Sequence, residues 1–135
     1  MSTQTEQALL DSIPTGLFIG GQWIDGETGG TFDVQDPATG AVIRTIADAT
    51  PADGIRALDA AVAAQDGWAA TAPRVRSEIL RRAFDLVQEH KEDLALLMTL
   101  EMGKPLAEAR GEVGYGGEFL RWFSEEAVRI SGRYG

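Results

Sequence analysis

Residues 99–113 read Thr-Leu-Glu-Met-Gly-Lys-Pro-Leu-Ala-Glu-Ala-Arg-Gly-Glu-Val, and the central Gly103-Lys104-Pro105 decides how the chain folds on either side. A glycine just past a periodic segment stops a helix, and a proline opens the next one, where its missing N–H costs nothing. Upstream, Ile79, Leu80, Ala83, Phe84, Val87, Leu94, Leu97 and Met98 recur at three and four residues. That spacing predicts one long amphipathic helix from Arg74 to Gly103. Downstream, Leu106, Ala109, Val113, Gly116, Leu120, Phe123, Ala127 and Ile130 follow a repeat near 3.5 residues and predict a further helix. Gly103-Lys104 is not the tail of a phosphate loop. That motif needs glycine where Met98 stands and Ser or Thr where Pro105 stands.

Moving toward the N-terminus, Thr50-Pro51-Ala52-Asp53 supplies a capping hydroxyl, a first-turn proline and a carboxylate suited to a helix N-terminus. The alanine-rich helix that follows runs to about Ala70, with Ile55, Leu58, Ala61, Val62, Gln65 and Trp68 along one side. Before it, Leu17-Phe18-Ile19 and Gln22-Trp23-Ile24 flank Gly20-Gly21, the pair a two-residue hairpin turn requires. Thr31 to Gln35 and Ala41 to Ala47 flank Asp36-Pro37-Ala38-Thr39-Gly40, which reads as a type I turn closed by a left-handed glycine. Residues 1–16 are polar and unpatterned and are expected to form a flexible arm. The chain by itself therefore reads as two β-hairpins over 17–49 and three helices over 50–135, an α/β chain.

With 21 acidic against 12 basic residues the net charge is −9, which argues against nucleic acid or an anionic membrane as partner. No signal peptide is visible, and no run approaches the roughly 18 apolar residues of a spanning helix. A cytoplasmic setting is the expectation. The sequence contains no cysteine and a single histidine, His90, so thiol nucleophiles and multi-histidine metal sites are excluded within it. His90 stands between Glu89 and Lys91 and reads as a solvated helix residue. Gly111, Gly114, Gly116 and Gly117 fall inside a helix, not between a strand and a helix, so they do not spell a dinucleotide fingerprint. Each costs about 1 kcal/mol against alanine. Close approach of another backbone is the favoured reason, with a ligand channel as the alternative.

The stretch from Thr99 to Val113 resembles the amino-terminal region of aldehyde dehydrogenases, succinate-semialdehyde dehydrogenases in particular. The resemblance continues through Tyr115-Gly-Gly-Glu-Phe-Leu-Arg-Trp-Phe-Ser-Glu-Glu-Ala127. It also covers Phe18-Ile-Gly-Gly-Gln-Trp23, Asp36-Pro-Ala-Thr-Gly40 and the helix opening at Arg74, all in the family's order. It implies part of a Rossmann-like cofactor domain, in a homo-oligomeric enzyme that oxidises a small aldehyde such as succinate semialdehyde with NAD or NADP. In that family a cysteine thiolate attacks the aldehyde, and a glutamate-activated water releases the acid after hydride transfer. Those groups, the oxyanion asparagine and the glycine-rich cofactor loop lie downstream of the stretch matched here. The chain therefore reads as an amino-terminal fragment without catalytic or cofactor-binding residues of its own, expected to be inactive and to bind no NAD or NADP alone.

Two lesser roles follow from the resemblance. Glu112, Tyr115, Gly116 and Phe119 would line the aldehyde tunnel, against the bland reading that Tyr115 and Phe119 are core. Backbone carbonyls of Val34, Gln35 and Glu101 would hold a structural monovalent cation. The competing reading is a free-standing helical protein-interaction module built on the same scaffold. Apolar faces such as Leu80, Phe84, Val87, Leu94 and Met98 exceed what three helices can bury among themselves, so self-association of the isolated chain is expected.

Overall fold

The computed structural model describes residues 3–130 and 132. Its order of elements is α1 (Thr3–Ser12), β1 (Leu17–Ile19), β2 (Gln22–Ile24), β3 (Thr31–Gln35), β4 (Val42–Ala47), α2 (Pro51–Ala70), α3 (Pro73–Glu89), α4 (Lys91–Met102) and α5 (Leu106–Glu126). Two compact units result: residues 1–69 with 100–103, and residues 70–99 with 104–135.

The first unit holds both hairpins. β1 pairs antiparallel with β2, Phe18 opposite Trp23, and their rings lie 5.1 Å apart. Gly20 and Gly21 take φ of 60° and 81°, the positive values expected of this turn. β3 pairs antiparallel with β4, with an irregularity between Val34 and Gln35. Asp36 closes the connecting turn: Oδ1 accepts from the Ala38 N–H at 2.8 Å and Oδ2 from the Thr39 hydroxyl at 2.8 Å. Residues 3–12, where the sequence predicts no regular element, form α1. Leu10 is its buried anchor, and the Arg44 guanidinium donates to the Ile13 carbonyl just beyond it at 3.2 Å. A short helix tied by one leucine leaves little periodic signal.

The start of α2 is built around Asp53, which is 1% exposed. Its carboxylate accepts from the Thr50 N–H (2.8 Å), the Thr50 hydroxyl (2.9 Å), the Glu27 N–H (3.2 Å) and the Arg56 guanidinium. The Asp53 N–H in turn donates to Thr50 Oγ1 at 3.2 Å, which completes a reciprocal capping box. These donors, the Thr50 N–H foremost, hold the Asp53 pKa near 2, below its ordinary 3.8, against the opposing effect of burial. Beyond this cap the expected apolar side of α2 is open. Ile55, Leu58, Val62 and Trp68 are all exposed, and Asp53 is the one buried residue of the helix.

The second unit is a helical packing. The sequence predicts one helix from Arg74 to Gly103; the structure divides it at His90, whose φ of −98° and ψ of 18° end α3. The break is invisible to periodicity because Val87 and Leu94 stand seven residues apart, in phase on either side of it. Ala95 and Ala109, both fully buried, and Val113 form the core, with Val87, Met98 and Leu106 against them. The buried line of α5 is Ala109, Val113, Gly117 and Ser124, not the expected line through Gly116 and Phe123. A straight helix turns every 3.6 residues, so a line extrapolated at 3.5 drifts off the packed face over twenty residues. α5 ends at Glu126, short of the expected Ile130.

Candidate functional site

The two sides of α5 differ in kind. On the packed side, a Cβ added to Gly117 would lie 2.9 Å from Gln88 Nε2, 3.4 Å from Val87 and 3.8 Å from Phe84. Here the absent side chain admits side chains of α3 rather than another backbone, which corrects the favoured expectation for this glycine. Gly111 and Gly116 face open space, so close approach does not account for them. On the opposite side, Tyr115, Glu118, Phe119, Trp122 and Phe123 line a groove of about 420 Å³. Tyr115 and Phe119 meet edge to face, centroids 5.1 Å apart. All four aromatic residues are exposed, from 48% at Phe119 to 69% at Tyr115, so the core reading of Tyr115 and Phe119 does not hold in this chain.

Of the four residues expected to line the aldehyde tunnel, Tyr115 and Phe119 line the groove. Glu112 is turned to an ion pair with Lys104, and Gly116 contributes no side chain. Glu118, Trp122 and Phe123 were missed, although spacings of three and four from Tyr115 and Phe119 place them on the same face. The only charge lining the groove is the Glu118 carboxylate, and Arg121 pairs with it at 2.7 Å. Chemically the groove offers aromatic surface for an apolar chain, with no nucleophile and no free base. A second ion pair braces the unit from α4: Arg110 donates to Glu92 at 2.7 Å and lowers the Glu92 pKa.

Val34 and Gln35 flank the irregularity in β3, while Glu101 lies in the last turn of α4, within the same unit. A Cβ on Gly103 would stand 2.9 Å from the Pro37 ring, so these two segments run close together. Among the described residues no group of three His, Cys, Asp or Glu side chains converges as a metal site. His90 is exposed, with Nδ1 3.6 Å from Asp93. Among the described residues both sheets are antiparallel hairpins and the α5 glycines lie inside a helix, so these elements do not form a strand–glycine turn–helix cradle.

Residues 23–134 match the model of the aldehyde dehydrogenase family. The chain belongs to that family. Over 93 residues it is 72% identical to a succinate-semialdehyde dehydrogenase of Paenarthrobacter nicotinovorans, covering 69% of this chain and 21% of that one. It is 49% identical over 115 residues to a glutarate-semialdehyde dehydrogenase of Pseudomonas putida, covering 85% and 24%. An aldehyde dehydrogenase structure from Brucella melitensis biovar abortus superposes with a TM-score of 0.88 at 43% identity, covering 98% of this chain and 27% of that one. A betaine aldehyde dehydrogenase from Staphylococcus aureus, solved with NAD+, superposes with a TM-score of 0.86 at 29% identity, covering 90% and 25%. The chain thus spans about a quarter of the length of the relatives it matches. Among the described residues no helix is long and apolar enough to cross a membrane.

Proposed function

We propose that this chain serves in an NAD(P)-dependent dehydrogenase of ω-semialdehydes, succinate semialdehyde foremost, as amino-terminal scaffold and as one wall of the aldehyde path. The observation that carries this reading is the exposed aromatic face of α5 in a chain that is 72% identical over 93 residues to a succinate-semialdehyde dehydrogenase. An aldehyde whose far end is a carboxylate presents a short apolar chain between two polar ends, and Tyr115, Phe119 and Trp122 suit that middle section. The groove's own charge is negative, so recognition of the substrate carboxylate falls to groups outside this groove.

The 135-residue chain is inactive by itself in this reading, because a covalent route needs a thiolate and the sequence has no cysteine. No hydride step is assigned to its residues. The resemblance adds homo-oligomeric assembly and a cytoplasmic setting, and the carbonyls of Val34, Gln35 and Glu101 are proposed as cation ligands in the assembled enzyme. The free-standing interaction module is not favoured, since the family match runs through nearly the whole chain.

Two measurements test the reading together. Purified chain given succinate semialdehyde with NAD or NADP should produce no reduced nicotinamide above a boiled control. The Paenarthrobacter enzyme with its matching segment replaced by this chain should turn over. Activity in the first, or a folded but inactive chimera in the second, contradicts the proposal.

A further inference from the structure

Two consecutive helices carry open stripes with the same spacing and opposite charge. On α2, Ile55, Asp59, Val62 and Asp66 fall at intervals of four, three and four; read backwards on α3, Leu86, Arg82, Ile79 and Val75 fall at the same intervals. Positions so spaced share one line on a helix, and each line is about 16 Å long. Both are open: Ile55, Leu58 and Val62 are 59–62% exposed, and Val75, Ile79 and Leu86 are 38–50% exposed. Among the described residues, none of Asp59, Asp66 and Arg82 is engaged in an ion pair.

We propose that the α2 stripe docks on the α3 stripe of a second copy of this chain, with the helices antiparallel. In that register Ile55 meets Leu86, Asp59 meets Arg82 and Val62 meets Ile79, so three of the four positions match, and the fourth sets Asp66 opposite Val75 at the end of the stripe. The other pairings of these stripes match two positions or fewer. A parallel register sets Asp59 on Ile79 and Val62 on Arg82. Antiparallel α2 against α2 sets Ile55 on Asp66, and α3 against α3 sets Ile79 on Arg82. Wider charge favours the same choice. The first unit carries eleven acidic residues against two basic, whereas residues 73–82 of α3 hold four arginines and one glutamate. Complementary charge steers the approach and fixes the register, while the apolar pairs supply the attraction.

Sedimentation equilibrium of the 135-residue chain across a wide concentration range tests this. The wild type should associate reversibly, more weakly as salt screens the Asp59–Arg82 pair. Asp59→Arg and Arg82→Glu should each weaken association about tenfold, the double variant should recover most of the loss, and Val62→Asp should abolish it. All three positions are exposed, and circular dichroism of each variant checks that helicity is kept. A wild type that is monomeric at every concentration overturns the proposal. So do single reversals without effect, or a double variant no better than either single one.

Discussion

The two compact units of this chain are held together by different physics. The first carries a charge of −9, eleven acidic against two basic residues, and its most buried large side chain is a carboxylate, Asp53. The second balances ten acidic against ten basic residues and closes on alanine, valine and glycine. In the first, order comes from a few hydrogen bonds converging on one charge; in the second, from helices brought close by small side chains. A polar hub fails when a partner is removed, because the remaining donors are left without an acceptor. A small-residue packing fails when atoms are added.

The largest effect expected from this contrast is Asp53→Ala. It strips the acceptor from the Thr50 and Glu27 N–H groups and from Arg56. The melting midpoint should fall by roughly 10 °C, with faster amide exchange concentrated at residues 25–60. Asp53→Asn should lose less. Equal loosening of α3 and α5 amides would break the distinction between the units. The matching change in the second unit is Ala109→Leu at a fully buried site, expected to cost about 2 kcal/mol in urea unfolding, with exchange rising in α4 and α5.

A smaller effect should appear on acidification. Asp53 titrates near 2 in the folded chain against 3.8 ordinarily, so its stabilising contribution is whole above pH 3.8 and is lost as pH falls toward 2. Glu92, lowered by Arg110, adds a contribution of the same sign in the second unit. Urea midpoints measured between pH 5 and pH 2 should fall for the wild type and flatten for Asp53→Asn. An unchanged acid limb in that variant would remove Asp53 from its central place. The smallest effect is Gly117→Ala. Relief of the mid-helix glycine penalty and displacement of the mobile Gln88 end should nearly cancel, leaving a change within about 1 kcal/mol.

The same contrast explains what the sequence disclosed. Features written in local chemistry were legible: the Gly20-Gly21 turn, the Asp36 turn and the Thr50–Asp53 cap all stand where residue types alone place them. Features set by packing partners were not. The break at His90 leaves the apolar phase intact, α1 depends on Leu10 and Arg44, and the buried line of α5 shifts from Gly116 to Gly117 because α3 lies on that side. The candidate site was half legible. Tyr115 and Phe119 come from the resemblance, while Phe123 reads as part of the apolar repeat and Trp122 carries no role in the sequence, although their spacing puts both on the same groove. An aromatic stripe at helical intervals has the same pattern whether it meets a core or a ligand.

The central claim, that the α5 face borders the aldehyde path, is tested most directly by Phe119→Ala in the Paenarthrobacter chimera, with KM for succinate semialdehyde and thermal midpoint read on the same preparation. Phe119 is 48% exposed in this chain, so its truncation should raise KM severalfold while the midpoint holds. A midpoint that falls by several degrees with KM unchanged would make Phe119 a packing residue and contradict the account.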